Sequence, residues 1–414
     1  MRVLIIHMRY WPDATGTGPL VSELAEDLAA QGDDVSAVTS IPHYGRSSIP
    51  SEFRGRILHR STRAGVALYR TFALASHVAS PFGRAADYAA FTVSSALTGI
   101  ALGRQDVILC VAPPITVGFS GWLVGALVGA PMIFNAQDIW PDGLIGMGRI
   151  RARPAIRVLR TIEHLVYRAS RRITVVSEGM RGNLIGKGVA PDRVVVIPNW
   201  VDTNAIQPQT KHNAFRQENG LSNRFVVLFA GNLGYAAGLE TVVSAAEILR
   251  TDRKVCFLIV GEGSAKSGLK RRAEELGLTN VVFLTTQPRD RLPEVLASAD
   301  LSLVTLKKDM GTLSVPSKSY AIMASARPIL AAVPSDSEVV RLVTQADCGV
   351  IVPPEEPEAL AAAIRSLAGD PELLEAYGRN GRYFAERHHS RADLTSRYHK
   401  LLLEVTSPEA SGGA

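Results

Sequence analysis

The feature that most narrows what this chain can fold into is a repeated alternation. A short apolar run is followed by a loop, then by a segment with apolar residues at helical spacing. Residues 3–6 are such a run, followed by a loop over 8–19. The periodic segment Leu20, Val21, Leu24 and Leu28 comes next and ends at Gly32, before a second run at 35–39. The pattern recurs with runs at 107–111, 132–135, 173–176 and 194–198 and helical segments at 117–128 and 157–169. Strand, helix, strand in this order predicts a doubly wound parallel sheet. Residues 202–224 are polar and aperiodic and read as a linker. The alternation then restarts, with runs at 225–230, 255–260, 281–284, 301–304, 329–332 and 349–352 and helical segments between them.

The expected organisation is a first α/β domain over 1–201, the linker 202–224, and a second α/β domain over 225–385. A last helix over 386–406 is expected to pack back on the first domain. A cleft between two such domains is the usual place for a ligand. At about 150 residues per domain, 414 residues fit two to three domains. Residues 407–414 read as a frayed tail.

Composition excludes several classes. With 46% hydrophobic and 20% charged residues the chain is globular rather than disordered. Cys110, Cys256 and Cys348 are far apart in apolar runs, which argues against a zinc ribbon or a disulfide scaffold. No metal-ligand spacing is evident, since His388 and His389 are adjacent rather than one helical turn apart. The first residues turn polar too soon for a signal peptide, so a cytoplasmic protein is expected. Residues 115–134 hold no charge and are long enough to span a bilayer, but Gly118, Gly121, Gly125, Gly129 and Pro131 interrupt them. A buried helix and strand is the better reading.

The charge is uneven. Residues 1–200 hold 21 Lys+Arg against 14 Asp+Glu, whereas 201–414 hold 24 against 25. Lys187 is the sole lysine of the first half, so the excess is arginine. It concentrates between Arg46 and Arg84 and between Arg149 and Arg172, each with one acid, Glu52 and Glu163. A basic half implies either an anionic surface or substrate on that side, or a solvated face. Ile156, Leu159, Ile162 and Val166 recur at helical spacing among these arginines. The segment is therefore either an interfacial helix on anionic lipid or a sheet-covering helix. No aromatic residues interleave with the basic ones, so nucleic acid is not an expected partner.

Five short segments could carry chemistry. The loop Asp13, Ala14, Thr15, Gly16, Thr17, Gly18 lies between the first strand and helix. It is either a phosphate or sugar contact or a tight turn, and it is neither GxGxxG nor a P-loop. Gly231, Asn232, Leu233, Gly234 and Gly261, Glu262, Gly263, Ser264 each follow a strand and precede a helix. Each is either a ligand loop or a packing turn. In Val315, Pro316, Ser317, Lys318, Ser319, Tyr320, Pro316 can start a helix and Ser317 can cap it. Lys318 then sits in the first turn, where the macrodipole disfavours a cation. An anion held there would remove the conflict; a snorkelling surface lysine is the plainer alternative. Gln137 and Asp138, beside Trp140, follow a strand and suit a hydroxyl-rich ligand, with Asp138 able to orient or deprotonate a hydroxyl; a helix cap is the alternative.

These residues together resemble the retaining glycosyltransferases of family 4, which have the GT-B fold of two Rossmann-like domains. In the second half the resemblance rests on Phe229-Ala230-Gly231-Asn232-Leu233 and Leu258-Ile259-Val260-Gly261-Glu262-Gly263. It also rests on Leu292-Pro293 with Ala299-Asp300, and on Val352-Pro353-Pro354 with Glu358-Ala359-Leu360. In the first half Val176-Ser177-Glu178, Val196-Ile197-Pro198-Asn199-Trp200-Val201-Asp202 and the opening loop match as well. Gln137-Asp138-Ile139-Trp140-Pro141-Asp142 with Pro316-Ser317-Lys318 is similar to a subgroup that includes fucosamine transferases of O-antigen synthesis and colanic acid glycosyltransferases.

The resemblance implies transfer of a sugar from a nucleotide diphosphate sugar with retention, without metal or cofactor. Domain closure would exclude water. The implied acceptor is a lipid-diphosphate-linked saccharide at the cytoplasmic membrane, faced by the arginine-rich half, with the protein peripheral on the inner face. A nucleotide-sugar 2-epimerase of the same fold and a non-catalytic sugar-nucleotide-binding scaffold are the alternatives. The sequence also departs from the family. The two glutamates, the second a ribose ligand, fall on Leu313 and Ala321, and the diphosphate-binding Arg and Lys fall on Asn232 and Ala237. Lys318 is the expected substitute cation and Glu338 the expected ribose ligand. Donor contacts are expected from Gly231, Asn232, Gly261, Glu262, Gly263, Ser317, Lys318, Ser319 and Glu338. Acceptor or phosphate contacts are expected from Thr15, Gly16, Thr17, Gly18 and Gln137, with Asp138 and Lys318 nearest the chemistry.

Overall fold

The computed structural model describes the chain except for residues 14–15, 43–48, 75–80, 147, 149, 312–316 and 408–414. It divides into two compact units, 1–199 with 392–414, and 200–391.

The first unit is built on eight strands: β1 Arg2–Ile6, β2 Asp34–Ser40, β3 Leu58–Arg63, β4 Val66–Thr71, β5 Val107–Val111, β6 Met132–Ala136, β7 Arg172–Val175 and β8 Val194–Val196. Their order is β3-β4-β2-β1-β5-β6-β7-β8. All neighbours are parallel except β3 and β4, which form an antiparallel hairpin at one edge. Residues Val3 to Ile6 of β1 are wholly buried. Strands buried on both faces read as continuous apolar runs, which is why the alternation was legible. The helix Val117–Val128 crosses between β5 and β6 and ends on Gly129, whose φ of +77° terminates it. No helix among the described residues is long and apolar enough to cross a membrane.

The arginine-rich helix Arg153–Ala169 covers the same sheet. Val166 and Tyr167 are buried, and so is Glu163, the one acid of that stretch. Glu163 accepts from Lys187 Nζ at 2.7 Å, and the same nitrogen lies 2.9 Å from Asp142. Arg153, Arg157, Arg160 and Arg168 remain exposed. The helix thus has a docked face and a solvated basic face.

The second unit holds β9 Phe225–Ala230, β10 Val255–Val260, β11 Val281–Leu284, β12 Leu301–Thr305, β13 Ile329–Ala332 and β14 Gly349–Val352. They form one parallel sheet in the order β11-β10-β9-β12-β13-β14. In both units the strand order reverses about a central pair, β1 with β5 and β9 with β12. The carboxyl ends of such pairs open the crevice in which doubly wound sheets bind ligands.

Residues 202–224 are more than a linker. They contain the helix Ala214–Glu218, whose Phe215 and Arg216 are buried in the second unit. Arg216 Nε donates to Ser298 O at 2.7 Å and its Nη2 bonds Asp300. The polar composition of the segment hid this anchor, because burying Arg216 depends on an acid 84 residues away. The hairpin β3–β4 and the helix Pro81–Ala101 are further elements absent from the sequence reading.

Candidate functional site

In the first unit the chain leaves β1 at His7, at the point where the strand order reverses. His7 is buried and bonded at both ring nitrogens. Nδ1 is 2.8 Å from Val111 O, at the end of β5, and Nε2 is 2.9 Å from Thr17 Oγ1. A carbonyl can only accept, so Nδ1 carries the proton and Nε2 accepts from the Thr17 hydroxyl. Burial holds the ring neutral and pushes its pKa down to about 4, with Arg9 adding to the depression. Thr17 therefore turns its hydroxyl inward to His7. It occupies the N-cap position of the helix Gly18–Ala30 without capping it.

Arg9 and Asp13 crowd the two glycines of this loop. A Cβ on Gly16, where φ is +64°, would lie 2.8 Å from Arg9 Nη1, and one on Gly18 would lie 3.4 Å from Arg9 Cβ and 3.0 Å from Asp13 O. The glycines let an arginine lie across the start of the helix. Thr15 lies outside the described residues.

Asp138 follows β6 and keeps an exposed face. The protein around it raises its pKa by desolvation, which Arg9 partly offsets. Gln137 is engaged internally. Its Nε2 donates to Asn135 Oδ1 at 2.8 Å and its Oε1 accepts from Asn199 Nδ2 at 2.8 Å. Asn135 Nδ2 in turn donates to Thr174 Oγ1 at 2.8 Å and Tyr398 OH at 2.6 Å. The structure thus brings Arg9, Asp138, Gly16 and Gly18 to one sheet edge, while Gln137 and Thr17 brace it from within.

The neutral His7 makes the fold acid-sensitive. Unfolded, the ring titrates near 6.5; folded, it takes no second proton until about pH 4. As pH falls through this window the unfolded state binds the extra proton, so stability falls. The full loss is about 3 kcal/mol. Urea titrations between pH 7 and 4 should show this slope, and His7→Gln should flatten it. An equal slope in the variant would assign the acid sensitivity to other groups.

In the second unit the loops after β9 and β10 are zipped together. Leu233 N donates to Glu262 O at 2.9 Å and Ala265 N to Leu233 O at 2.9 Å. A Cβ on Gly261, where φ is +149°, would sit 1.9 Å from Gly231 O, and one on Gly263 would sit 2.4 Å from Leu233 C. These two glycines serve loop-to-loop contact. Gly231 differs: at φ +150° its Cβ would meet only Lys318 Cδ, at 3.8 Å, and the Phe229 ring. Asn232 is exposed above this turn. The turn enters a single 3-10 turn, Tyr235–Ala237, and the helix Glu240–Ile248 begins only later, so Asn232 and Gly234 do not open an α-helix.

Lys318 is the first residue of the helix Lys318–Ala324. Its Nζ lies 3.4 Å from the centroid of the Phe229 ring, at the carboxyl end of β9. The lysine is half-buried, and desolvation lowers its pKa to about 7. No carboxylate pairs with it among the described residues. Ser317 is exposed and makes no side-chain cap, contrary to expectation, because its φ of −58° and ψ of −20° are already helical. Ser319 is fully buried and its hydroxyl has no partner among the described residues. Leu313 and Pro316 lie outside the described residues.

Glu338 opens the helix Glu338–Ala346 behind the N-cap Ser337. Its Oε1 accepts from Arg341 Nε at 2.8 Å and from Arg341 Nη2. Burial raises the pKa of Tyr320, two residues beyond Lys318, and the charge of Glu338 adds to that rise. Glu262 is exposed and pairs with Lys266 Nζ at 2.6 Å.

Sequence reasoning missed Lys266 and Lys307. Lys266 Nζ also donates to Gly261 O at 3.0 Å and Leu284 O at 3.1 Å, tying off the ends of β10 and β11. It is a cation in the first turn of a helix, the same signal that singled out Lys318. Lys307, two residues beyond β12, stacks 4.0 Å from the Tyr235 ring centroid.

Known proteins share this architecture. Residues 15–200 match the glycosyl transferase 4-like domain and residues 211–384 match glycosyl transferases group 1. The putative colanic acid biosynthesis glycosyl transferase WcaI of Escherichia coli K12 is 29% identical over 396 residues, covering 94% of this chain and 96% of the relative. Sucrose-phosphate synthase from Thermosynechococcus elongatus superposes with a TM-score of 0.77 at 17% identity, covering 97% of this chain and 98% of that one. Anabaena HepE in complex with UDP superposes with a TM-score of 0.73 at 16% identity, covering 98% and 100%. The fold is GT-B. The chain belongs to the glycosyltransferases that join a glycosyl transferase 4-like domain to a group 1 domain.

Proposed function

We propose that this glycosyltransferase moves a sugar from a nucleotide diphosphate sugar to a lipid-diphosphate-linked saccharide, with retention, in the assembly of a bacterial surface polysaccharide. The second unit holds the donor and the first holds the acceptor, on the inner face of the cell membrane. The relative named for colanic acid biosynthesis and the neighbour holding UDP support this reading.

One observation carries it: the Lys318 ammonium, unpaired among the described residues and held over Phe229 beside Gly231 at the central strand pair of the donor unit. A desolvated cation with no carboxylate beside it among those residues is a site for an anion. The donor diphosphate supplies that anion, and its negative charge grows as the glycosidic bond breaks. Lys318 takes the place of the Arg and Lys that the wider family carries where this chain has Asn232 and Ala237. The diphosphate charge is met by this lysine and by the backbone N–H of Asn232, without metal; the N–H of Gly231 is held by Val260 O at 3.0 Å. Glu338, with Oε1 already braced by Arg341, presents its other oxygen to the ribose. The acceptor hydroxyl attacks, oriented by Asp138. Its raised pKa brings that carboxyl nearer to sharing a proton at neutral pH. Arg9 and the glycine loop at Gly16 and Gly18 receive the acceptor phosphate.

The test is a thermal-shift panel of UDP, GDP, ADP, dTDP and NAD⁺, followed by the anomeric configuration of the product by NMR. A nucleoside diphosphate at about 100 times its Kd adds about 2.7 kcal/mol of stability. Stabilisation by one nucleoside diphosphate, none by NAD⁺, and a product with the donor's anomeric configuration are expected. A response to NAD⁺ alone, or an inverted product, overturns the reading.

A further inference from the structure

The helix Val117–Val128 packs three of its sides inside the first unit. A Cβ on Gly118 would meet Val166 Cγ1 at 2.4 Å, and one on Gly121 would meet Cys110 Sγ at 2.1 Å. Ser120 accepts from Ser95 Oγ at 2.9 Å, and Val124 packs on Gly99 of the neighbouring helix Pro81–Ala101. The remaining face carries Phe119, Trp122, Leu123, Ala126 and Leu127, with no polar side chain. Trp122 is 52% exposed and Leu127 63%. Val93 at 61% and Leu97 at 64%, one turn apart on the neighbouring helix, extend the same kind of surface. A helix that is apolar all round is ordinarily covered, and a soluble surface seldom leaves such a patch open without use.

A groove of about 710 Å³ adjoins the last turns of this helix, with Trp122 in its wall. Arg168, Arg171, Arg172 and Arg193 line it against a single acid, Asp192. Arg193 is spent on the carbonyls of Tyr167 and Ser170, and Arg172 donates to Arg171 O at 3.2 Å. The guanidinium groups of Arg168 and Arg171 meet no protein partner among the described residues. The groove lies at the starts of β6 and β7, the edge of the sheet opposite Asp138.

We propose that this apolar face docks on a bilayer and that the arginine groove beside it takes the phosphate headgroups of anionic lipids. The charge decides the occupant. An apolar wedge flanked by arginine, with an aromatic residue at the boundary, matches the layered polarity of an acidic membrane surface. Twelve residues make a helix of about 18 Å, short of the roughly 30 Å of a hydrocarbon core, so it lies in the interface rather than across it. This inference deepens the membrane part of the proposed function and rests on it.

The experiment is co-sedimentation of the full chain with vesicles of phosphatidylcholine alone and with three parts in ten phosphatidylglycerol, at physiological salt. Binding to the acidic vesicles only is expected. L123E/L127E should lower it at least tenfold. R168Q/R171Q should lower it about thirtyfold, since each arginine at the surface accounts for about a fivefold change. Equal binding to both vesicles, or variants that bind like the parent chain, overturns the proposal. So does a self-association, seen by ultracentrifugation, that L123E/L127E abolishes, because the face then covers a second copy. Stabilisation by inorganic phosphate alone, lost in R168Q/R171Q, assigns the groove to a free anion instead. Both variants keep the thermal shift with nucleoside diphosphate, so loss of this surface is distinguished from loss of the donor site.

Discussion

Replacing Lys318 with methionine weakens nucleoside diphosphate binding about a hundredfold, within the range for truncating one partner of a buried charge pair across a binding site. Methionine keeps the apolar stem over Phe229 and deletes only the charge. The effect is large because no carboxylate among the described residues neutralises this ammonium, which lies 3.4 Å from the Phe229 ring centroid. pH gives a second signature. Burial lowers the free lysine to about 7, and a bound diphosphate favours its charged form and raises that value. Affinity is therefore highest below pH 7 and falls as pH rises above it, by up to tenfold per unit, until the bound-state pKa is passed. Calorimetry at pH 6.5 and 8.5 in buffers of different ionisation enthalpy reads both the affinity and the proton uptake. The same depressed pKa works against folding: the unfolded lysine binds its proton more tightly, so removing the amine does not cost stability. Equal affinity in parent and variant, or affinity without pH dependence, removes Lys318 from the donor site.

Asp300→Ala destabilises the second unit by about 3–5 kcal/mol, the cost of stranding a buried charge. Its Oδ2 bonds Arg216 Nη2 and accepts from Val226 N at 2.8 Å, while its Oδ1 accepts from Lys211 at 2.6 Å. The Arg216 side chain is 2% exposed and that of Asp300 is 5%. Without the carboxylate, Arg216 stays buried with its charge uncompensated, and β9 loses an anchor at its first turn. Replacing both, as Arg216→Met with Asp300→Leu, should recover part of the loss, because no buried charge is then left unpaired: Lys211, 47% exposed, turns to water, and the lost acceptor of Val226 N remains as the residual cost. Urea unfolding checks both. A loss below 1 kcal/mol for Asp300→Ala would mean that Arg216 finds water or another partner.

What the sequence made legible follows from distance along the chain. Strands buried on both faces announce themselves as local apolar runs, and twelve of the fourteen were readable on that signal. The hairpin was not. β3 is Leu-His-Arg-Ser-Thr-Arg, an edge strand with no residue of its own to bury, and its place depends on pairing with β4. Lys318 stood out because a cation at a helix start breaks a local rule. Lys266 breaks the same rule but answers it with the carbonyls of Gly261 and Leu284, which only the fold supplies. His7 and Gln137 act through partners 104 and 62 residues away. Glycine spacing showed that two loops approach something closely. For Gly261 and Gly263 that something is the neighbouring loop, for Gly16 it is Arg9, and for Gly18 it is the carbonyl of Asp13 with Arg9 behind it.

The helix Arg391–Thr406 places Tyr398 against Asn135 and buries Leu394 and Leu402 in the first unit. The first unit is thus assembled from two separate stretches of the chain, on either side of the second, which is one uninterrupted stretch. During synthesis residues 1–199 therefore leave the ribosome with Asn135 and the seat of the last helix still open, and they wait for the whole second unit to be made before Tyr398 arrives. The usual order, in which the earlier-translated domain finishes first, does not hold for this unit.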